Sequence, residues 1–205
     1  MITPAALRRL LGSVDIYLLD QILRGRITSG ARVLDVGCGA GRNVAYLMRA
    51  GFDVAGFDPD PAAVAAVRRL AGKLAPHLPA DAFRCESSEA STFDDACTDV
   101  LICNAVLHFS RDDAHFDAQM DGMWRLLAPG GLFFARLTSN IGLEDAVVPL
   151  GDGRFRLPDG STRYLVDEQR LLDTGERLGG RLLDPIKTTN VQGLRCMTTW
   201  VLHKA

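Results

Sequence analysis

The chain has 205 residues, of which 47% are hydrophobic and 23% are charged, a composition typical of a globular domain and not of a disordered protein. Its formal net charge is −2, and the lack of any run of Lys or Arg argues against a dedicated nucleic-acid-binding surface. The five cysteines are scattered and form no C-x-x-C pair, so we expect reduced thiols, no disulfide framework and no metal site.

Helical and extended patterns alternate along the first two thirds of the chain. Residues 4–27 carry apolar side chains at helical spacing, which predicts one or two amphipathic helices. Further helices are predicted at 42–50, from Pro61 to about Leu70 with Asp60 as the N-cap, and at 112–127. Short buried strands are predicted between them, at 32–36, 53–57, 82–85, 99–104 and 132–138.

The pattern changes after Ser139. Residues 139–166 look loop-like except for a hairpin predicted around 154–161, and a loop of this length is uncommon unless it is functional or disordered. We therefore interpret 139–166 as a candidate lid over a small acceptor, and a loop packed permanently against the sheet is the alternative. A helix at 167–178 and strands near 181–189 and 194–203 complete the chain.

These elements predict an α/β fold, a Rossmann-like doubly wound sheet of seven mostly parallel strands with an antiparallel C-terminal hairpin. No linker divides the chain, so residues 1–205 are expected to form a single domain. Its parts are N-terminal helices in 1–28, a cofactor-binding core in 30–138, the candidate lid in 139–166, and a C-terminal helix and strands in 167–205.

The start of the chain lacks an apolar segment of signal-peptide length, and its longest mostly apolar run, 100–109, is too short to span a bilayer. We expect a cytoplasmic protein without a membrane partner. Nothing in the sequence specifies an oligomeric state.

Three glycines, at positions 37, 39 and 41, follow the first predicted strand. A strand, a glycine-rich turn and a helix form the nucleotide-binding element of open α/β sheets. The dinucleotide fingerprint places its third glycine at the position of Arg42, so an adenosyl ligand without phosphates fits this spacing better than a pyrophosphate does. Asp58, 21 residues after Gly37, is predicted to accept hydrogen bonds from a ribose, while Asp60 caps the next helix.

At these positions the chain resembles the class I S-adenosylmethionine-dependent methyltransferases. The resemblance covers roughly residues 30–138 and rests on the segments V-L-D-V-G-C-G-A-G, G-F-D, D-V-L-I-C-N-A-V-L-H-F and L-L-A-P-G-G-L-F-F. The G-R-N extension and the V-L-H-F segment look most like the tellurite-resistance-type and related small-molecule methyltransferases. The resemblance implies S-adenosylmethionine as cofactor, S-adenosylhomocysteine as product, and a small molecule as acceptor.

The resemblance also implies a set of cofactor-binding residues. One group surrounds the methionine end of the cofactor, namely Asp35, Gly37, Cys38, Gly39, Gly41, Arg42 and Asn104. Asp58 and Pro59 would lie at the ribose. Members of the family often carry an Asp near the adenine amino group, and that position falls here on Ser87, beside Ser88, Glu86 and Glu89.

Two residues outside this set are candidates for the reaction itself. His108 follows the fourth predicted strand, where it is either a general base or a packed histidine. Arg136 lies inside an apolar strand and needs either an acidic neighbour or an anionic substrate, because an unpaired buried charge is costly. Arg42 is either a partner for a ligand carboxylate or a solvated surface residue.

The sequence leads to three hypotheses about function. The favoured hypothesis is methyl transfer to a small molecule. The Asn-Pro-Pro-Tyr element of DNA-methylating enzymes is absent after the fourth strand, so a nucleic-acid partner is not expected. The alternatives are a non-catalytic protein that binds S-adenosylmethionine or S-adenosylhomocysteine, and an NAD(P)-dependent oxidoreductase.

Overall fold

The computed structural model describes residues 3–205 of the chain. Six helices form, α1 (Pro4–Leu11), α2 (Ile16–Leu23), α3 (Ala45–Arg49), α4 (Pro61–Leu74), α5 (Asp113–Leu126) and α6 (Glu168–Arg177). The first five strands are β1 (Arg32–Val36), β2 (Asp53–Phe57), β3 (Phe83–Arg84), β4 (Thr98–Asn104) and β5 (Leu127–Ser139). The others are β6 (Val148–Gly151), β7 (Arg154–Arg156), β8 (Thr162–Tyr164), β9 (Gly180–Leu182), β10 (Lys187–Val191) and β11 (Arg195–Lys204).

The central sheet has the strand order β10-β11-β5-β4-β1-β2-β3, with β9 pairing to β11 beyond the end of β10. The pairings among β1 to β5 are parallel, and β11 is antiparallel to β5, to β10 and to β9. The predicted mixed, doubly wound sheet is therefore confirmed. Its strand order reverses between β1 and β4, which is where ligands bind in open α/β sheets.

Hydrophobic side chains cover both faces of this sheet, because successive residues of a strand point to opposite sides. Val33 contributes to the core beneath α2, α3 and α4, whereas the adjacent Leu34 contributes to the core beneath α5 and α6. Trp200 of β11 is fully buried in the second of these cores. With both faces covered, the strand ends at the edge are the part of the sheet open to a ligand.

Several predicted boundaries are wrong. The helix predicted at 42–50 is the shorter α3, and residues 42–44 form turns instead. The strand predicted at 181–189 is divided into β9 and β10, since Pro185 lacks the N–H that a strand needs and Asp184 turns inward to Arg26. Strand β5 begins at Leu127, before the predicted 132, and its pairing with β4 shifts register between Thr98 and Val100.

Residues 139–166 are not the loop that their sequence suggests. Strands β6, β7 and β8 form a separate three-stranded antiparallel sheet, and the predicted hairpin corresponds to β7 and β8. A small core stabilises this sheet, consisting of Leu143, Val147, Leu157, Leu165 and Cys196. Tyr164 adds a contact with the main domain, because its hydroxyl donates to Asp113 at 2.6 Å. Among residues 3–205, no helix has both the length and the apolar character needed to cross a membrane.

Candidate functional site

Two cavities adjoin at the carboxyl ends of β1, β2, β4 and β5. The first has a volume of about 430 Å³ and is lined by Val36, Gly37, Phe57, Asp58, Pro59, Ser87, Ser88, Glu89, Ala105, Val106, Phe109, His115 and Gln119. The second has a volume of about 380 Å³ and is lined by Arg42, Asn104, Ala105, His108, Arg136, Thr138, Leu157, Asp159, Ser161, Arg163, Val191, Arg195 and Met197. Ala105 lines both cavities, so they are neighbours across the end of β4.

The turn after β1 has left-handed backbone at all three predicted glycines. At Gly41, where φ is +85°, a Cβ would lie 2.9 Å from the side chains of Val67 and Leu70, so this glycine lets α4 approach the turn. At Gly39, where φ is +52°, a Cβ would meet no protein atom within 4 Å. The space beside Gly39 is therefore open to a ligand, while the space beside Gly41 is filled by the protein.

Asp58 connects the end of β2 to this turn. One carboxylate oxygen accepts a hydrogen bond from Gly39 N at 2.9 Å, and the other accepts one from Asp60 N, also at 2.9 Å. Asp60 is the N-cap of α4 and accepts from Ala62 N at 2.8 Å, as predicted. The two carboxylates therefore have separate positions, and only Asp58 lines the first cavity.

Asp35 is buried below the turn, with 2% of its surface exposed. The pKa of its carboxyl group is raised to about 8, chiefly by burial, while the positive charge of Arg42 partly opposes this shift and the negative charge of Asp58 adds to it. Burial likewise raises the pKa of the Cys38 thiol, which leaves that thiol neutral. A cationic ligand group beside Asp35 would restore its charged form.

The far end of the first cavity is formed by the residues after β3 and by α5. Ser88 is buried and accepts a hydrogen bond from Gln119 Nε2 at 3.0 Å. Glu86 is engaged within its own turn by Ser91 and Thr92. Glu89 lies in the wall of the cavity with His115 3.3 Å from it. Of the two glutamates considered from the sequence, Glu89 is thus the one placed to meet a ligand.

The second cavity contains four arginines and one aspartate. Arg136 Nη1 is 2.7 Å from Asp15 Oδ2, and its guanidinium lies 4.9 Å from the centre of the Tyr17 ring. The acidic neighbour predicted for Arg136 is therefore present. Arg42 is exposed and donates to Ser13 O at 3.2 Å. Among the described residues, Arg42, Arg163 and Arg195 form no ion pair.

His108 belongs to the second cavity and is 7% exposed. Its pKa is lowered to about 4, first by burial and then by the positive charges of Arg163 and Arg195. Its unperturbed pKa suggested a base suited to neutral pH, but the folded protein makes it a much weaker base. Its ring stays neutral at pH 7.

Three buried nitrogen atoms of the second cavity's residues have no hydrogen-bond partner within the described part of the chain, namely Asn104 Nδ2, His108 Nδ1 and Arg136 Nε. Such atoms are uncommon in folded proteins and indicate a missing partner. Pairing of β4 with β5 sets Asn104 beside Arg136, which explains why two of these atoms occur together.

Sequence reasoning missed several lining residues. Arg163 and Arg195 lie on β8 and β11, far along the chain from the glycine turn, and no local pattern marks them. Asp15 resembles an ordinary N-cap in sequence, and it does accept from Tyr17 N at 2.9 Å. Only its second oxygen, which holds Arg136, connects it to the site.

Comparison with known proteins adds a family match. Residues 34–135 match the family described as a methyltransferase domain. A ubiquinone biosynthesis O-methyltransferase of Methylocella silvestris is 36% identical over 110 residues, which are 54% of this chain and 41% of that protein. A trans-aconitate 2-methyltransferase of Methylobacterium nodulans is 31% identical over 124 residues, 60% of this chain and 44% of that protein. The chain spans about half the length of the curated relatives it matches.

Solved structures share the fold. A protein of Methanosarcina mazei described as a SAM-dependent methyltransferase superposes with a TM-score of 0.71 at 18% identity, covering 89% of this chain and 96% of the other. The 1,6-didemethyltoxoflavin-N1-methyltransferase of Burkholderia thailandensis superposes with a TM-score of 0.69 at 17% identity, covering 98% and 82%. At these identities the similarity describes the architecture.

Proposed function

We propose that this chain, whose residues 34–135 match the methyltransferase-domain family, is a class I S-adenosylmethionine-dependent methyltransferase that binds S-adenosylmethionine and transfers the methyl group to a small-molecule acceptor. S-adenosylhomocysteine is the other product. Two relatives are named as a ubiquinone biosynthesis O-methyltransferase and a trans-aconitate 2-methyltransferase. Both names refer to small molecules, which supports a small-molecule acceptor for this chain.

The distribution of charge between the two cavities is the observation that carries this proposal. The first cavity has Asp58 and Glu89 in its wall and no Arg or Lys among its lining residues. Carboxylates accept hydrogen bonds from ribose hydroxyls and from an adenine amino group, but they repel phosphates. An adenosyl group without phosphates therefore suits this cavity, and the pyrophosphate of NAD(P) does not.

The residues around the glycine turn suit the methionine end of the same ligand. The buried Asp35 carboxyl would gain a cationic partner from the ligand's ammonium group, and Arg42 has no carboxylate partner in the described chain. Asn104, beside the turn on β4, and Gly37 complete this end. Gly39 leaves the space that a ligand needs.

When bound, S-adenosylmethionine supplies a methyl group already activated on a sulfonium. The chain's own contribution is to hold an acceptor in the second cavity, next to Ala105, where the two cavities meet. Alignment of the two reactants supplies much of the rate of such a transfer. His108 is too weak a base to remove a proton readily at neutral pH, so it orients or packs rather than acting as the main base.

Calorimetry and isotope transfer test the proposal. We expect S-adenosylhomocysteine to bind to the purified protein much more tightly than NAD, and a methyl-labelled donor to pass label to one or more members of a panel of small acceptors. Tighter binding of NAD would contradict the proposal and favour an oxidoreductase. Binding without label transfer to any acceptor would favour the non-catalytic alternative.

A further inference from the structure

The second cavity is unusually cationic for a protein whose net charge is −2. Four guanidinium groups line it, and Asp159 is the single carboxylate among its lining residues. Asp159 is partly engaged elsewhere, because it accepts from Ser161 N at 2.9 Å and from Ser161 Oγ at 2.6 Å. Since like charges gathered in one cavity repel each other, the arrangement is stabilised when an anion enters.

Only one of these arginines has an ion-pair partner within the described protein. Arg136 is paired with Asp15, yet its Nε remains buried without a partner. Arg163 donates to the backbone carbonyl of Thr162 at 2.7 Å and lies 5.1 Å from the centre of the Phe109 ring. Arg195 is exposed at the start of β11. Arg163 and Arg195 thus keep most of their donors available.

The unpartnered buried nitrogens of Asn104 and Arg136 point to the same ligand chemistry. Both are donors, and a buried donor without an acceptor is destabilising. A ligand rich in oxygen acceptors would satisfy them. A neutral apolar acceptor would leave both donors unpaired and would not neutralise the positive charge of the four guanidinium groups.

One anionic group is already accounted for by the proposed cofactor. Arg42 would hold its methionine carboxylate, which leaves three other arginines in the cavity. The planar donor fork of Arg binds carboxylates and phosphates with two parallel hydrogen bonds. Arg136 already has Asp15 as its partner, whereas Arg163 and Arg195 have no ion-pair partner among the described residues, so one anionic group for each of these two requires two in the ligand.

We propose that the second cavity binds the methyl acceptor and that this acceptor is a small organic anion carrying at least two negatively charged groups. This inference rests on the proposed methyl transfer. In that reaction a lone pair of the acceptor forms the new bond to the methyl carbon, the carbon–sulfur bond breaks, and its electron pair stays on sulfur. Arg163 and Arg195 hold the anionic groups, and Arg136 orients the acceptor from the floor of the cavity.

The charge of the donor strengthens the argument. S-adenosylmethionine carries a sulfonium charge that S-adenosylhomocysteine lacks, and a donor held in the first cavity would bring this charge toward the cationic second cavity. A bound polyanion therefore offsets more repulsion in the complex with the donor than in the complex with the product. This difference favours release of the product once the methyl group has moved.

Calorimetry on the protein loaded with S-adenosylhomocysteine tests the inference, with citrate and fructose 1,6-bisphosphate as anionic probes and trimethyl citrate as the neutral counterpart of citrate. We expect at least one anionic probe to bind and the neutral ester not to bind. Arg163→Gln and Arg195→Gln should each weaken that binding by about tenfold or more, the effect of losing a hydrogen bond to a charged group. Arg156→Gln is the matched control, because Arg156 is exposed on the same small sheet and does not line the cavity.

Each outcome separates the inference from the function it rests on. The inference is overturned if no anionic probe binds more tightly than the ester, or if Arg163→Gln and Arg195→Gln bind the probes as the unaltered protein does. If S-adenosylhomocysteine itself fails to bind, the proposed function fails instead, and the same probe titrations on the free protein still decide whether the cavity selects anions.

Discussion

Arg136 Nη1 and Asp15 Oδ2 lie 2.7 Å apart, although 121 residues separate them in the chain. This pair fastens the N-terminal helix α2 to the carboxyl end of β5 at the second cavity. The same aspartate caps α2, and its backbone N donates to Asn43 Oδ1 at 3.1 Å, beside the glycine turn. The N-terminal segment thus contacts residues of the site from outside the two cavities.

Replacement of Asp15 should destabilise the whole fold. In Asp15→Asn the Arg136 guanidinium loses its charged partner while it remains largely buried, and breaking a buried pair costs about 3–5 kcal/mol. Because a fifth of the Arg136 side chain is exposed, we expect the lower end of that range. Urea denaturation measures it. Asp20→Asn is the control, since its ion pair with Arg24 is about 40% exposed on both sides and should cost less than about 1 kcal/mol. If both variants lost the same free energy of unfolding, the buried pair would stabilise the fold no more than the exposed pair does.

Asp58→Ala should weaken binding of S-adenosylhomocysteine by about 1.5–3 kcal/mol, the range for hydrogen bonds to a charged group. The change also frees Gly39 N and Asp60 N from their acceptor, so the turn loses some order. Asp60→Ala should cost about 1 kcal/mol of stability through the lost cap and leave ligand affinity nearly unchanged. Calorimetry and urea denaturation together measure both effects. If Asp60→Ala reduced affinity more than Asp58→Ala, the ribose contact would have been assigned to the wrong carboxylate.

Stability should fall as the pH rises because of Asp35. Its pKa is raised to about 8 in the folded protein, whereas an unfolded aspartate titrates near its ordinary value of about 3.9. Between these values the folded state holds a proton that the unfolded state does not, so the contribution of Asp35 is complete below about pH 4 and is lost as the pH rises through about 8. Asp35→Asn should therefore be more stable than the unaltered protein at pH 9, measured by thermal unfolding. Asp53→Asn, an exposed aspartate on the neighbouring strand, is the control. A similar gain in both variants would refute a special role for burial.

Binding of the ligand should depend on pH through the same group. If the ligand's ammonium pairs with the charged form of Asp35, affinity for S-adenosylhomocysteine increases as the pH rises toward 8, and binding at pH 7 releases a proton. Calorimetry in buffers of different ionisation enthalpy measures the proton. Release that persists unchanged in Asp35→Asn would assign the proton to another group.

The ring of His108 should remain neutral at pH 5.5, because its pKa is lowered to about 4 by burial and by Arg163 and Arg195. Nitrogen chemical shifts of the imidazole report this directly, with His108→Gln used to assign the signal. As the pH falls, the unfolded chain protonates His108 at a higher pH than the folded protein does. The contribution of His108 to the free energy of unfolding is therefore complete above about pH 6.5 and is lost as the pH falls through about 4. A ring that titrates near pH 6.5 would restore the general-base interpretation.

The candidate lid at 139–166 remains a prediction, now with a defined structure. The small sheet presents Arg154 and Arg156 on its exposed face. If the segment closes over an acceptor, S-adenosylhomocysteine with an anionic probe should slow tryptic cleavage at these two residues and leave cleavage at Arg8 and Arg9 of α1 unchanged. Cleavage at the same rate with and without ligands would favour a permanently packed segment.

Local patterns in the sequence were sufficient to predict the strands, the glycine turn and the helix cap that surround the first cavity. Strands β1 and β2 have the predicted limits, and the Asp60 cap is where its sequence places it. The predicted contacts between these residues and the cofactor stay predictions. The finer resemblance to tellurite-resistance-type enzymes also stays a prediction. These features were readable because apolar periodicity, caps and glycine turns depend on neighbours within a few residues.

Only the tertiary structure showed that the arginines of the second cavity lie together. Arg136, Arg163 and Arg195 come from β5, β8 and β11, and no spacing in the sequence relates them. The antiparallel register of β11 sets Cys196 opposite Ser139, which carries Arg195 to the cavity, and the β7–β8 hairpin carries Arg163 there. In 139–166 the predicted hairpin is confirmed as β7 and β8, but the sequence did not predict β6 or the three-stranded sheet. Short strands are specified by the partner strand and the core they cover, and both lie far away in the chain until it folds.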